Sequence, residues 1–168
     1  HAMFRKMGAF TQREFGLMTV YHPHIKSLIE TEEEILRLLD ATGLNLCFDT
    51  GHHAYVNGNG RPGDPSVPDF IRRYAKRIKY LHFKQVDGQV YARVLREHLD
   101  SDTAFDMDVM CDLPDGIIDF KAVKQALEDI HFDGIGVVES DMPKASKERA
   151  FASACRNLSY LREIQMID

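Results

Sequence analysis

No run in this chain approaches the ~20 consecutive apolar residues that a bilayer-crossing helix needs, and no secretory-signal pattern opens it. A basic block is missing too. The formal net charge is −5, which argues against a protein that tracks nucleic-acid phosphates. The clusters Arg72-Arg73 and Lys76-Arg77 fall in a predicted helix and read as its solvated face. Cysteine is scarce. Cys47, Cys111 and Cys155 show no CxxC spacing and cannot all pair within one chain, so a reduced, cytoplasmic protein is the simplest reading. No GxGxxG or P-loop follows the first predicted strand, which counts against nucleotide binding.

What is present is enough for one domain: 168 residues, 44% hydrophobic and 28% charged, a length that can bury a real core. Four short apolar runs read as strands: "LMTVYH" (17–22), "LNLCFD" (44–49), "IKYLHFK" (78–84) and "IGVVES" (135–140). A helical pattern follows each. "TEEEILRLLDAT" has Thr31 as its N-cap and an acidic first turn, and "DFIRRYAKR" and "DFKAVKQALEDI" carry Asp69 and Asp119 as caps. "ERAFASACRNLSYLREI" completes the set, and "FRKMGAFTQREFG" reads as the end of a helix before the first strand. Repeated strand–helix alternation implies parallel strands with right-handed crossovers. Two architectures satisfy it, a small doubly wound sheet or one half of an eightfold (β/α) barrel. "NGNGRPGDPSVP" (57–68) holds three of the six prolines and reads as a flexible loop. The long connection at about 88–116 reads as a lid or insert with a short helix around "VYARVLREHL".

Lining up the strand ends exposes a pattern. The first ends at His22-Pro23-His24, the second at Asp49-Thr50-Gly51-His52-His53, the third at His82-Phe83-Lys84 and the fourth at Glu139-Ser140-Asp141. Carboxyl ends of parallel strands are where such folds place their sites. His22, Asp49, His82 and Glu139 form a mixed N/O set suited to Mn²⁺, Co²⁺, Fe²⁺, Zn²⁺ or Mg²⁺. Singly, each has a plainer explanation: Asp49 as a helix cap, His82 as a hydrogen-bonded core histidine. Glu139 is harder to explain alone, because an unpaired buried carboxylate is expensive. A divalent cation would offset both carboxylates at once. His24, His52, Lys84 and Asp141 form a second ring for substrate hydroxyls and proton transfer, with a salt bridge from Lys84 to Asp87 or Asp141 as the structural alternative. His53 is assigned no role.

At these residues the chain resembles the xylose-isomerase-like superfamily of sugar isomerases and epimerases, and within it the inosose (2-keto-myo-inositol) dehydratases. "YHPHIKSLIETEEEILRLLD", "CFDTGHHAYVNG", "RIKYLHFKQVD", "LPDGIIDFKAV", "VVESDMP" and the tail "ACRNLSYLREI" carry the likeness. The resemblance implies an α/β fold: residues 1–168 as a single (β/α)4 unit, the C-terminal half (strands five to eight) of a (β/α)8 TIM barrel whose N-terminal half is absent. It implies one divalent metal, Mn or Co first, on His22, Asp49, His82 and Glu139. It also implies a sugar- or inositol-derived small-molecule substrate, with Glu139, His52, Lys84 and His24 in the catalytic roles and His24, His52, Lys84 and Asp141 binding substrate. Two departures matter. His22 stands where many relatives carry a glutamate, which favours single-base elimination over two-base epimerisation. Gln85 stands where an acid often follows the lysine, implying a different substrate or a degraded site. A half-barrel would expose two sheet edges, so a homo-oligomer, a dimer completing or exchanging barrel halves, is expected. An isomerase or 3-epimerase with the same metal, and a non-catalytic scaffold, are the rival functions. Nucleic-acid and membrane partners are not expected.

Overall fold

Local capping sets the rhythm of the chain. Thr31 accepts from the Glu34 amide while the Glu34 carboxylate accepts from the Thr31 amide, a reciprocal capping box. Asp49, Asp87, Asp100, Asp119 and Ser146 each cap a further helix with a side-chain oxygen. The computed structural model describes all 168 residues. In chain order they form α1 (Ala2–Phe15), β1 (Val20–Tyr21), α2 (Glu32–Thr42), β2 (Asn45–Asp49), α3 (Thr50–Asn57), α4 (Ser66–Arg73) and β3 (Ile78–Phe83). After these come β4 (Gln85–Val86), α5 (Gly88–Glu97), α6 (Ser101–Asp106), β5 (Met110–Cys111), α7 (Phe120–Asp129), β6 (Ile135–Val138) and α8 (Lys147–Glu163).

Strands β1, β2, β3 and β6 form one sheet in that order, parallel throughout, as the strand–helix alternation predicts. Register does the functional work. Asp49 pairs with His82, and His82 pairs with Val137, so the polar ends of neighbouring strands arrive at one level. The core packs against this sheet through Leu46, Phe48, Ile78 and Leu81, with Phe48 stacked on Phe70 at 4.6 Å. Each such side chain contributes roughly 1.5–3 kcal/mol by leaving water. No helix is long and apolar enough to cross a membrane.

Several sequence expectations need correction. The first strand is two residues long, not six: it has a neighbour on one side only, and Leu17 and Met18 lie exposed before it. The strand expected over 135–140 ends at Val138, and the one over 78–84 ends at Phe83. Asp69 sits inside the first turn of α4 and caps nothing, because that helix starts earlier, after Pro65. The "DTGHHAYVN" stretch is a helix, α3. The 57–68 segment is organised rather than flexible. Buried Asp64 accepts from the Asn59 and Ser66 amides, and Gly63 donates to the Ile117 carbonyl. The long connection holds α5, as expected, together with α6, a 3₁₀ turn and the antiparallel β4–β5 pair.

Candidate metal centre

Four strand ends deliver one side chain each to a common point. One ligand atom from each of His22, Asp49, His82 and Glu139 lies within 4.8 Å of every other. His82 Nδ1 stands 2.7 Å from Glu139 Oε2 and 3.6 Å from Asp49 Oδ2. His22 Nδ1, Asp49 Oδ2, His82 Nδ1 and Glu139 Oε2 are all buried and none meets the geometry of a hydrogen bond, although the last three lie in ionic contact with one another or with the Lys84 ammonium. Buried polar atoms that converge without directed hydrogen bonds are costly. Two imidazole nitrogens and two carboxylate oxygens fit a divalent cation.

Charge gives the same answer. Lys84 is fully buried at the edge of the cluster. Its Nζ donates to Asp141 Oδ2 at 2.7 Å and lies 3.3 Å from both Asp49 Oδ2 and Glu139 Oε2. Three carboxylates against one ammonium leave two negative charges, which a divalent cation would balance. Burial alone would raise the Asp49 carboxyl, but His82, His52 and Lys84 hold it well below the usual carboxylate range. The same carboxylates raise Lys84 despite its burial. Asp49 and Glu139 raise His82, with Asp49 contributing most. Burial lowers His22.

Two other ligand groupings occur, and both are weaker. Cys47 could join His22 and His82, but burial, chiefly, pushes its thiol up to about 12, so it stays protonated where Asp49 is already anionic. His24, His52 and Asp141 also converge. Their centre, however, is taken by the Lys84 ammonium, 2.9 Å from His52 Nε2 and 2.7 Å from Asp141.

The second ring is assembled, with distinct roles. Lys84 donates to His52 Nε2, which engages that nitrogen's lone pair and leaves the proton on Nδ1, itself buried and unpaired. Burial drives the His52 pKa down to about 3, so the ring is neutral. His24 donates from Nδ1 to the Ile25 carbonyl at 2.7 Å, leaving Nε2 unengaged by that bond, and its ring lies 3.9 Å from that of His52, tilted by 52°. His24 and Asp141 also line a cleft of about 440 Å³ with Lys26, Asp102, Phe105 and Met142. A larger cavity of about 530 Å³ lies under the β6 edge and contains no member of either ring. His53 packs instead against the stacked pair Phe48 and Phe70, tilted to both rings.

Two positioning residues, Thr50 and Gly51, were given no role by sequence, and a third, Gln85, was noted there only as a departure. Thr50 Oγ1 donates to the Lys84 carbonyl and accepts from the Lys84 amide, at 2.7 and 2.9 Å, pinning the strand end. Gly51 leaves room for the Lys84 stem, since a Cβ there would sit 2.6 Å from Lys84 Cγ. Gln85 is no relic of an acid. Its amide donates to the Leu113 and Ile118 carbonyls and its oxygen accepts from the Ile118 amide, all at 2.9 Å. A carboxylate has no proton for those carbonyls.

Comparison with known proteins agrees with this arrangement. Residues 3–163 match the family model of the xylose isomerase-like TIM barrel. The chain is 36% identical over 136 residues to an inosose dehydratase of Geobacillus kaustophilus, covering 79% of this chain and 42% of the relative. It is 36% identical over 153 residues to an inosose dehydratase of Lacticaseibacillus casei, covering 89% and 48%. Among solved structures, an L-ribulose 3-epimerase superposes with a TM-score of 0.64 at 18% identity, covering 97% of this chain and 52% of that one. A probable 3-DHS dehydratase from Bacillus anthracis gives 0.66 at 16% identity, covering 96% and 54%. The chain thus spans about half the length of the curated relatives it matches. Parallel strands, a mixed N/O cluster at their carboxyl ends and a match running almost end to end have one meaning: the chain belongs to the xylose isomerase-like TIM barrel family.

Proposed function

We propose that this chain carries the metal-binding half of a divalent-metal-dependent dehydratase acting on a keto-polyol such as 2-keto-myo-inositol, and corresponds to strands five to eight of the family barrel. The observation that carries the reading is the convergence of one ligand atom from each of His22, Asp49, His82 and Glu139 within 4.8 Å of every other, with no hydrogen bond satisfying them. Mn²⁺ or Co²⁺ suits this donor set first, with Mg²⁺, Fe²⁺ or Zn²⁺ as alternatives. When bound, such a cation supplies Lewis-acid polarisation of a ketone and its neighbouring hydroxyl.

The chain's own groups then divide the proton work. Glu139, one-third exposed in its side chain, takes the proton from the carbon beside the ketone. The C–H electron pair becomes the new C=C bond as the β-hydroxyl departs. His24, on the cleft wall, acts as the imidazolium: Nδ1–H stays on the Ile25 carbonyl, the Nε2 proton passes to the departing hydroxyl, and the ring is left neutral as water leaves. Each proton transfer is typically worth about 10²–10⁴-fold in rate. His52 and Lys84 move from proton carriers to positioning groups in this account: the His52 lone pair is engaged, and its neighbours raise Lys84 away from the range of a good acid. The buried Lys84 ammonium ties His52, Asp141 and the two candidate ligand carboxylates together and so fixes their positions.

Product analysis on 2-keto-myo-inositol with the Mn²⁺-loaded chain tests the reading. Loss of one water per substrate is the expected result. A rearranged product of unchanged mass would mean an isomerase or 3-epimerase, and no turnover beside intact metal binding would mean a non-catalytic scaffold.

A further inference from the structure

The cleft over the metal centre has a wall that neither strand ends nor metal ligands explain. It is α6, a six-residue helix in the long connection. Ala104, fully buried, fixes it to the body, and Asp100 caps it through the Thr103 amide at 2.8 Å. Its two acidic residues point to opposite sides of the cleft mouth. Asp102 pairs with Lys26, from the loop after β1. Asp106 pairs with Lys144, from the loop after β6, at 3.0 Å, and the same ammonium reaches the Asp106 carbonyl. The loops after the first and last strands of the sheet are thus tied to one short helix. Lys26 adopts φ +70°, a left-handed conformation that a lysine rarely takes. Between the two ties, Phe105 lines the cleft with His24 and Asp141.

We propose that α6 is the specificity wall of this cleft, clasped by Lys26 and Lys144, and that Phe105 is the apolar face against which the C–H side of a cyclic keto-polyol packs. The substrate part rests on the function proposed above; the clasp does not. A polyol ring offers hydroxyls at its rim and C–H bonds on its faces. His24 and Asp141, on the same cleft, serve the rim, and Phe105 offers an apolar surface to a face. Both ion pairs are largely exposed, with Asp102 at 82% and Lys144 at 61% side-chain accessibility. Such pairs are individually weak, so the wall is held firmly enough to shape the cleft and lightly enough to yield when substrate enters.

Two arms of one experiment separate the clasp from the chemistry. In the first, backbone hydrogen exchange is followed on the Mn²⁺-loaded chain without substrate. Lys26→Ala/Lys144→Ala should speed exchange across residues 101–106 by about tenfold, leaving β2, β3 and metal content unchanged. The exchange of Lys26→Asp with Asp102→Lys should restore much of the protection. Unchanged exchange in the double-alanine variant overturns the clasp, whether or not the chain is an enzyme. In the second arm, 2-keto-myo-inositol binding is measured by calorimetry. Phe105→Ala should weaken it about tenfold with Mn²⁺ affinity intact. Wild-type binding that Phe105→Ala leaves unchanged overturns the stacking face. No binding by the wild type overturns the assigned substrate and, with it, Phe105's partner.

Discussion

At Asp49 the two carboxylate oxygens face different partners. Oδ1 accepts from the His52 amide at 2.8 Å and starts α3, while Oδ2 turns into the metal centre. The capping explanation of this residue holds through Oδ1, and it leaves Oδ2 available for the proposed ligand role. His53, one position beyond His52, belongs to a different environment. Both its ring nitrogens are buried and unpaired where the ring packs against Phe48 and Phe70, and burial lowers its pKa to about 4 from an ordinary 6.5. Because the folded value lies below the unfolded one, the unfolded chain binds the extra proton between those pH values. The stability of the neutral ring is complete above about pH 6.5 and is lost as the pH falls from there toward 4. The loss should approach ~3 kcal/mol. Urea unfolding at pH 7.5 and pH 4.5 checks it: His53→Phe should lose less stability than wild type between the two, and equal losses would contradict the assignment. The ligand residues were legible in sequence because each ends an apolar strand, where a polar residue needs a reason. The roles of Thr50 and Gly51, and the structural role of Gln85 beyond its standing as a departure, were not, because their work lies in backbone contacts made across the fold.

Among the elements, the four parallel strands, α2, α5, α7 and α8 follow from apolar spacing and caps that the chain displays openly. Helix α3 does not: "TGHHAYVN" has a glycine and two histidines in its first turns and little amphipathic pattern. It forms because Asp49 caps it and its first residues pack on Lys84. The 58–65 segment is a similar case. Its glycines and prolines signal a turn, but the buried carboxylate that orders it is visible only once Asn59 and Ser66 come round it. Asp64→Ala strips two backbone amides of a charged acceptor and should cost about 3 kcal/mol. Thr31→Ala, at the exposed capping box of α2, should cost about 1 kcal/mol. Chemical denaturation measures both; a smaller loss for Asp64→Ala than for Thr31→Ala would contradict the loop's proposed order.

At the scale of the molecule, the sheet ends at β1 on one side and β6 on the other, and both flanks carry exposed apolar side chains. Met3, Met7 and Phe10 stand out from α1; Ile135, at 62% exposure, and Val137 mark β6; Phe151 and Leu158 mark α8. Open strand edges beside apolar patches favour association, and the curated relatives named above are about twice as long. We therefore expect the 168-residue chain to form a dimer through these flanks. Closing eight strands from two copies would bring α1 of one copy and α8 of the other over the same seam, and α1, which buries no side chain, is the element free to yield. Light scattering should give twice the chain mass, with Phe151→Lys shifting it toward the monomer. A wild-type monomer at micromolar concentration would contradict this.

The central claim is that His22, Asp49, His82 and Glu139 hold one divalent cation, and its most direct test is metal content after loading with Mn²⁺ and exhaustive dialysis. The account predicts about one ion per chain in the wild type. In Glu139→Gln and His82→Ala the content should fall sharply, with affinity weakened by a factor on the order of 100. A wild-type chain that retains no metal, or two variants that retain it undiminished, would contradict it.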